Sequence, residues 1–170
     1  GAMFQMFNHG ILATALFLTA GMLYDRGKDY HIDHYKGLIS RVPYFAFVVG
    51  WIFFASLGLP GLNAFVSEFL VFAGAFHASE AGNFLPVAGV FAAILGIFLS
   101  AAYFLLTYRK MFFGNFFINS LEDRSSSIYD LSYREWALVI PLLILTLYYG
   151  LFPSAHLNFT DEALVSLSRL

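Results

Sequence analysis

The chain has 170 residues, of which 59% are hydrophobic, 19% are aromatic and only 12% are charged. Soluble domains carry about a quarter charged residues, so this composition is typical of a protein embedded in lipid and gives no indication of a nucleic-acid partner. The sequence contains no cysteine, which excludes thiolate-held iron–sulfur clusters, disulfides and cysteine zinc sites within it.

Four segments that are almost free of charge predict the membrane-spanning helices. About 20 residues cross a hydrocarbon core of roughly 30 Å when each residue rises 1.5 Å. On this basis we predict spans at about 4–24, 42–79, 84–108 and 134–153. The second segment is too long for one regular helix and too short for two complete spans with a turn. It contains the sequence Gly-Leu-Pro-Gly at 58–61.

The basic residues indicate how often the second segment crosses the membrane. Short loops rich in Lys and Arg stay on the cytoplasmic or matrix side. Eight of the nine basic residues lie in the loops after the first and third spans: Arg26, Lys28, Lys36, Arg41, Arg109, Lys110, Arg124 and Arg134. A single crossing of 42–79 puts both loops inside. We therefore predict an all-α integral membrane fold with four transmembrane helices, the second discontinuous at Gly58–Gly61.

Local signals indicate where several helices begin. Pro86 suits the start of the third span, where its missing N–H has no partner to lose. Ser132 and Glu135 have the spacing of a capping box before the fourth span. Thr160 is predicted to cap a short C-terminal helix that lies in the membrane interface. No internal repeat is visible, so residues 1–170 are predicted to form a single membrane block.

Glu68 is the one charged residue inside the second predicted span. A carboxylate at the centre of a membrane helix costs about 2.5 to 3.5 kcal/mol on insertion scales, and such residues usually mark ion or proton pathways. Helix breaks in membranes are tolerated where protein or a water-filled cavity satisfies the backbone, as in transporter ion sites. We predict that Glu68 handles a proton near the midplane. The alternative is a structural acid bonded to a Ser, an Asn or a backbone amide.

Three histidines, His9, His31 and His34, lie where a proton relay or a metal site could be considered. His9 lies in the first span, in the same half of the bilayer as Glu68, and an imidazole can relay protons near neutral pH. The alternative is that His9 joins helices together with Asn8 and Gln5. His31 and His34 stand beside aspartates in a polar loop, but no second pair of ligands is near them, so a solvated loop without a metal is predicted.

Several motifs resemble the antiporter-like membrane subunits of respiratory complex I. The similarity runs along essentially the whole chain and is greatest to the C-terminal third of the subunit M type, called NADH dehydrogenase subunit 4 in mitochondria. The motifs that carry it are Phe4-Gln5-Met6-Phe7-Asn8-His9-Gly10, Gly21-Met22-Leu23-Tyr24-Asp25-Arg26, Ala55-Ser56-Leu57-Gly58-Leu59-Pro60-Gly61-Leu62-Asn63-Ala64-Phe65-Val66-Ser67-Glu68-Phe69, Tyr108-Arg109-Lys110-Met111-Phe112-Phe113-Gly114 and Gly150-Leu151-Phe152-Pro153.

The resemblance implies roles for individual residues. Glu68 corresponds to the glutamate at the end of the family's central proton path, and His9 to the histidine of the preceding helix. The resemblance also implies that the helix break is formed by three residues, Gly58, Pro60 and Gly61. Asn63 and Ser67 are expected to support the site. Ser67 departs from the family, which usually has glycine there, and its hydroxyl is expected to tune the site rather than abolish it.

The implied function is that of a subunit of proton-pumping NADH:quinone oxidoreductase, a translocase whose FMN, iron–sulfur clusters and quinone are expected in other subunits. No lysine lies in a predicted span, whereas the family's path also uses lysines on earlier helices. We therefore expect an N-terminal half from a split gene, or a longer chain of which this is a fragment. Other membrane-arm subunits and lipid are the expected partners, in a mitochondrial inner or bacterial plasma membrane.

Two alternatives remain open from the sequence. A subunit of a multi-subunit Na+/H+ antiporter or of a membrane-bound hydrogenase shares this fold, and the presence of NADH-oxidising subunits distinguishes them. A structural membrane subunit with an inactive site is the other alternative, and it predicts unchanged pumping per complex when Glu68 is replaced.

Overall fold

A computed structural model of the chain describes residues 1–80, 86–118 and 128–167. Helices account for most of these residues, and a two-stranded sheet and two short 3-10 turns, Ile32–His34 and Leu38–Ser40, lie between them. The elements are α1 (Ala2–Gly27), β1 (Tyr35–Lys36), α2 (Pro43–Ser56), α3 (Asn63–Glu80), α4 (Val87–Phe112), β2 (Phe117–Ile118), α5 (Tyr133–Leu151) and α6 (Ser154–Leu167).

Three of the described helices, α1, α4 and α5, are long and apolar enough to cross a membrane. Helix α2 is apolar but has only 14 residues. It is the innermost helix, with Phe45, Val48 and Ile52 at its most buried positions. A helix that is apolar on all sides belongs in a protein core or in a membrane. The membrane-type, mostly helical fold predicted from the composition is confirmed.

The predicted capping box at the start of α5 is present. The backbone N–H of Ser132 donates to Glu135 Oε2 at 2.7 Å, and the N–H of Glu135 donates back to Ser132 Oγ at 3.4 Å. Pro86 likewise directly precedes α4. These local signals were visible in the sequence because a capping box and an N-terminal proline act within one turn of the chain.

The prediction that Thr160 caps the last helix is wrong. Helix α6 begins at Ser154, and Thr160 lies inside it, where its hydroxyl donates to the carbonyls of His156 and Leu157 at 3.2 and 3.1 Å. The helix starts earlier because the carbonyl of Phe152 accepts from the N–H of Ala155, and that of Pro153 accepts from the N–H groups of His156 and Leu157. Proline has no N–H to leave unpaired there and its fixed φ suits a helix start.

The two basic loops meet in a short antiparallel strand pair. Tyr35 of β1 lies opposite Ile118 of β2, and Asp33 forms an ion pair with Lys110 at the end of α4. The hydrogen bond from Lys110 holds the pKa of Asp33 below its usual value. Strands of two residues are too short to leave an alternating pattern in a sequence. As a result of this pairing, the ends of α1 and α4 lie at the same end of the molecule.

A buried arginine joins α1 to α5 at this basic end. The Arg26 side chain is only 2% exposed, and its guanidinium donates to both oxygens of Glu135 at 2.7 and 2.9 Å. The three remaining N–H groups donate to the carbonyls of Met22, Tyr129 and Asp130 at 2.8, 3.0 and 3.2 Å. All five donors of the guanidinium are therefore satisfied inside the protein.

The carboxylate of Asp130 extends this connection to α2. Its two oxygens accept from the backbone N–H groups of Tyr44 and Phe45 at 2.8 and 2.9 Å. These amides belong to the first turn of α2, where N–H groups have no partner within the helix and a negative charge is favourable. Asp130 thus caps a helix that begins far from it in the sequence.

Candidate functional site

The turn between α2 and α3 contains the residues predicted to interrupt the second span. Gly58 and Gly61 have φ values of +64° and +94°, which side chains disfavour, and Pro60 between them has no N–H to donate. Three backbone bonds hold the turn: the N–H groups of Gly58, Leu59 and Leu62 donate to the carbonyls of Ala55, Phe54 and Leu59 at 3.3, 3.4 and 3.0 Å. Leu59 and Pro60 at the turn are exposed, whereas Leu62 and Asn63 directly after it are buried.

The Glu68 carboxyl lies against this turn. Glu68 is half-buried in α3, and a Cβ added to Gly58 would collide with its Oε2 and stand 3.1 Å from its Cδ. The absence of a side chain at Gly58 therefore provides the space that the carboxyl occupies. The turn serves two purposes, since it ends α2 and holds the acid of the following helix.

A cavity of about 300 Å³ adjoins the carboxyl. It is lined by Glu68, by Ser56 and Leu57 at the end of α2, and by α4, which contributes Gly96 and Ser100 among other residues. Cavities that contain polar partners and exceed the size of a water molecule are usually hydrated, whereas apolar ones stay dry. The acid therefore faces a space in which water can bring or remove a proton.

Asn63 and Ser67, the predicted supporting residues, hold α3 against α1. The Asn8 amide donates to the Asn63 carbonyl at 3.0 Å and to Ser67 Oγ at 2.9 Å, while the Asn63 amide donates to Asn8 Oδ1 at 2.9 Å. The Ser67 hydroxyl also donates to Gln5 Oε1. Asn8, Asn63 and Ser67 are all 0% exposed. Among the described residues, the side-chain oxygen of Asn63 is buried without a hydrogen-bond partner, while the other hydrogen bonds of the network join α1 to α3 across an apolar contact.

His9 is not part of this network. Its side chain is exposed, whereas its neighbour Asn8 is fully buried, because successive residues of a helix point about 100° apart. Within the described ranges, no hydrogen bond or ion pair joins His9 to Glu68. The alternative role for His9 was to join helices together with Asn8 and Gln5. Asn8 and Gln5 make these contacts with α3, whereas the His9 side chain does not.

The loop histidines belong to a set of paired charges. Asp29 accepts a hydrogen bond from the backbone N–H of His31 at 3.0 Å and pairs with Nδ1 of His34. The hydrogen bond from His34 holds the pKa of Asp29 below its usual value. In the part of the chain that the structure describes, no three His, Asp or Glu side chains are placed to hold a metal ion.

The sequence prediction missed the contribution of α4 to the site. Ala93, Gly96 and Ser100 line the cavity, and their spacing of three and four residues places them on one face of the helix. The signal was present as a series of small residues in the third span. It could not be assigned to Glu68, because a stripe of small residues is equally typical of helix packing in membranes.

The chain is similar to membrane subunits of respiratory enzymes. Residues 1–96 match the family described as NADH:quinone oxidoreductase/Mrp antiporter, TM. NADH-quinone oxidoreductase subunit M of Rhodobacter capsulatus is 40% identical over 154 residues, which are 91% of this chain and 28% of the relative. NADH-ubiquinone oxidoreductase chain 4 of Chondrus crispus is 35% identical over 170 residues, which are 100% of this chain and 32% of the relative.

A solved structure gives the same result. A chain of respiratory complex I from Thermus thermophilus with bound NADH superposes with a TM-score of 0.75 and 31% identity. The match covers 88% of this chain and 29% of that chain. This chain thus spans about a third of the length of the proteins it matches.

Proposed function

Because the chain belongs to the NADH:quinone oxidoreductase/Mrp antiporter family of membrane proteins, we propose that it forms the C-terminal part of an antiporter-like subunit of proton-pumping NADH:quinone oxidoreductase. The names of the two relatives support the subunit M or chain 4 type, and the solved structure supports the assignment to complex I. The subunit is part of a translocase in which electron transfer from NADH to quinone drives proton movement. No redox centre is assigned to this chain, and FMN, iron–sulfur clusters and quinone belong to other subunits.

One observation carries the proposed mechanism: Glu68 lies at a helix break and faces a cavity. In this mechanism Glu68 is the last proton carrier of the path. The turn at Gly58, Pro60 and Gly61 keeps the carboxyl beside the cavity, and Asn63 and Ser67 keep α3 in register with α1. A carboxyl group with access to water on one side can take up and release a proton without a metal or cofactor.

We further propose four crossings of the membrane, with α2 and α3 together forming one discontinuous span. The strand pair supports this, because it keeps the start of α2 and the end of α4 at the same end of the molecule. Helix α4 has 26 residues and is therefore roughly 39 Å long. Helices α2 and α3 together must therefore cross the membrane once, so that α4 can cross it in the opposite direction. Helix α6, which follows α5 after two residues, is assigned to the interface.

The depth of the site agrees with this topology. Ser100 lies in the middle of α4, roughly 20 Å from either end, and shares the cavity with Glu68. The acid is therefore expected near the midplane, where neither surface supplies a proton directly. A path of further groups is required on the inner side.

His9 is proposed as a relay to groups on another polypeptide. Its side chain is exposed on α1, and no lysine lies in a predicted span. The upstream carriers are therefore assigned to the N-terminal helices of the subunit, supplied by a separate chain or by the rest of a longer one. Other membrane-arm subunits and lipid surround the assembly, in a mitochondrial inner or a bacterial plasma membrane.

Mass spectrometry of the native complex purified through this chain tests the assignment. We expect NADH-oxidising subunits with FMN and iron–sulfur clusters to accompany it. The second candidate, a subunit of a multi-subunit Na+/H+ antiporter, is favoured by the family description, which includes Mrp antiporters. If the purified complex contains only antiporter subunits and lacks flavin and iron, the chain is a subunit of an Na+/H+ antiporter and not of NADH:quinone oxidoreductase.

Replacing Gly58 with alanine is predicted to reduce proton pumping several-fold. The new methyl group would collide with the Glu68 carboxyl and displace it from the turn. Gly61→Ala is the matched control, because Gly61 also has a positive φ but open space around its Cβ. Both variants carry a backbone strain of about 1 kcal/mol. NADH-driven acidification of vesicles, measured per assembled complex, compares them, and equal pumping by the two variants would contradict the prediction.

A further inference from the structure

We infer that α4 is part of the proton site: Gly96 and Ser100 form one wall of the Glu68 cavity and hold the water through which Glu68 exchanges its proton. The inference rests on the proposed function. It assigns a role to two residues of a helix that carries no Asp, Glu, Lys, Arg or His from Val87 to Thr107.

The cavity is polar enough to hold water. Three oxygen-bearing side chains line it, namely Glu68, Ser56 and Ser100. Its volume of about 300 Å³ exceeds what one water molecule needs, and a water requires two to four polar partners to remain. The carboxyl and the two hydroxyls supply those partners in a region that is otherwise apolar.

The two serines differ in the hydrogen bonds that their hydroxyl groups can make with water in the cavity. The Ser56 hydroxyl donates to the Ile52 carbonyl at 2.8 Å, so toward the cavity it offers only acceptor capacity. Ser100 makes no hydrogen bond to any residue that the structure describes, although a serine in a helix commonly bonds to the carbonyl four residues earlier. Its hydroxyl is therefore free to donate to water or to the ionised carboxylate. Of the two serines, only Ser100 can both donate and accept a hydrogen bond toward water in the cavity.

Gly96 provides the space. A glycine inside a helix is less favourable than alanine by about 1 kcal/mol, and membrane helices often use it where another helix packs closely. At Gly96 that reason does not apply among the described residues, because a Cβ there would meet nothing within 4 Å. Gly96 is exposed, and the open space beside it includes the cavity that it lines. A larger side chain would extend into it rather than into a neighbouring helix.

The test compares Gly96→Leu with Gly74→Leu in the assembled complex. Gly74 is also a helical glycine with open space at its Cβ, and it lies on α3 outside the residues lining the cavity. Two quantities are measured: protons pumped per quinone reduced, and labelling of Glu68 by a carbodiimide that reacts with protonated carboxyl groups. Both are expected to fall several-fold in Gly96→Leu and to stay at the wild-type level in Gly74→Leu.

Two variants of Ser100 provide a second test if Gly96→Leu does not assemble. Ser100→Ala is expected to lower pumping several-fold, and Ser100→Thr, which keeps the hydroxyl, is expected to retain it. Wild-type pumping and labelling in Gly96→Leu, or equal pumping by the two Ser100 variants, would overturn the role of α4. If Glu68→Gln pumps poorly in the same preparation, the proposed function survives that result. If Glu68→Gln pumps normally, the proposed role of Glu68 as the last proton carrier is wrong.

Discussion

Replacing Glu68 with glutamine is expected to remove most proton pumping while the complex still assembles. Glutamine has nearly the same shape, so it can occupy the space beside Gly58 and line the same cavity. It cannot, however, take up and release a proton. Positioned proton-transfer groups typically contribute 10²- to 10⁴-fold to a rate, so we expect pumping to fall by at least about tenfold. Vesicle acidification driven by NADH, divided by the amount of assembled complex, measures the effect.

Two controls separate proton transfer from structure. Glu68→Asp keeps the carboxyl but withdraws it from the turn, and we expect intermediate pumping. Asp25→Asn removes an acid of the exposed Asp25–Lys28 pair, and it should pump like wild type. Wild-type pumping by an assembled Glu68→Gln variant would mean that Glu68 is a structural acid, the alternative that the sequence left open.

Replacing Arg26 with alanine is expected to prevent stable assembly. The substitution leaves Glu135 without its bidentate partner and removes the side-chain donor from three backbone carbonyls, of which the Met22 bond is buried and the other two are partly buried. Breaking a buried ion pair by removing one partner costs about 3 to 5 kcal/mol, which is a large part of the stability of an ordinary domain. Thermal unfolding and the yield of intact complex from the membrane measure the loss.

Three comparisons define the origin of the Arg26 effect. Arg26→Lys keeps the charge but cannot reproduce the planar fork, so we expect most of the loss to remain. The double variant Arg26→Leu with Glu135→Leu removes both charges and is expected to recover part of the stability. Lys28→Ala removes an exposed charge of the same loop and should have little effect. An Arg26→Ala complex as stable as Lys28→Ala would contradict this account.

Much of the fold was predictable because the sequence signals of membrane helices are local. A run of about 20 apolar residues, a proline before a helix and a capping box each act over a few residues. Glu68 was equally visible, because a single acid in such a run has no ordinary explanation. The glycines of the turn could be assigned for the same reason, since breaks within a membrane segment require special backbone conformations.

Long-range contacts could not be predicted in the same way. Arg26 and Glu135 are 109 residues apart, and each had a simpler local explanation, as a loop cation and as part of a capping box. His9 illustrates a second limit. Its position in the first span followed from the sequence, but which side of α1 faces α3 depends on packing, and Asn8 occupies that side instead. The role of His9 as a relay stays a prediction.

Infrared difference spectroscopy of the working complex tests the central claim most directly. If Glu68 takes up and releases a proton during turnover, the spectrum after NADH addition contains a change in the C=O stretching band of a protonated carboxyl group. We expect the band to be present in the wild-type complex and absent in assembled Glu68→Gln, with the other carboxyl bands unchanged. An identical set of carboxyl bands in the two complexes would contradict the claim that Glu68 is a proton carrier.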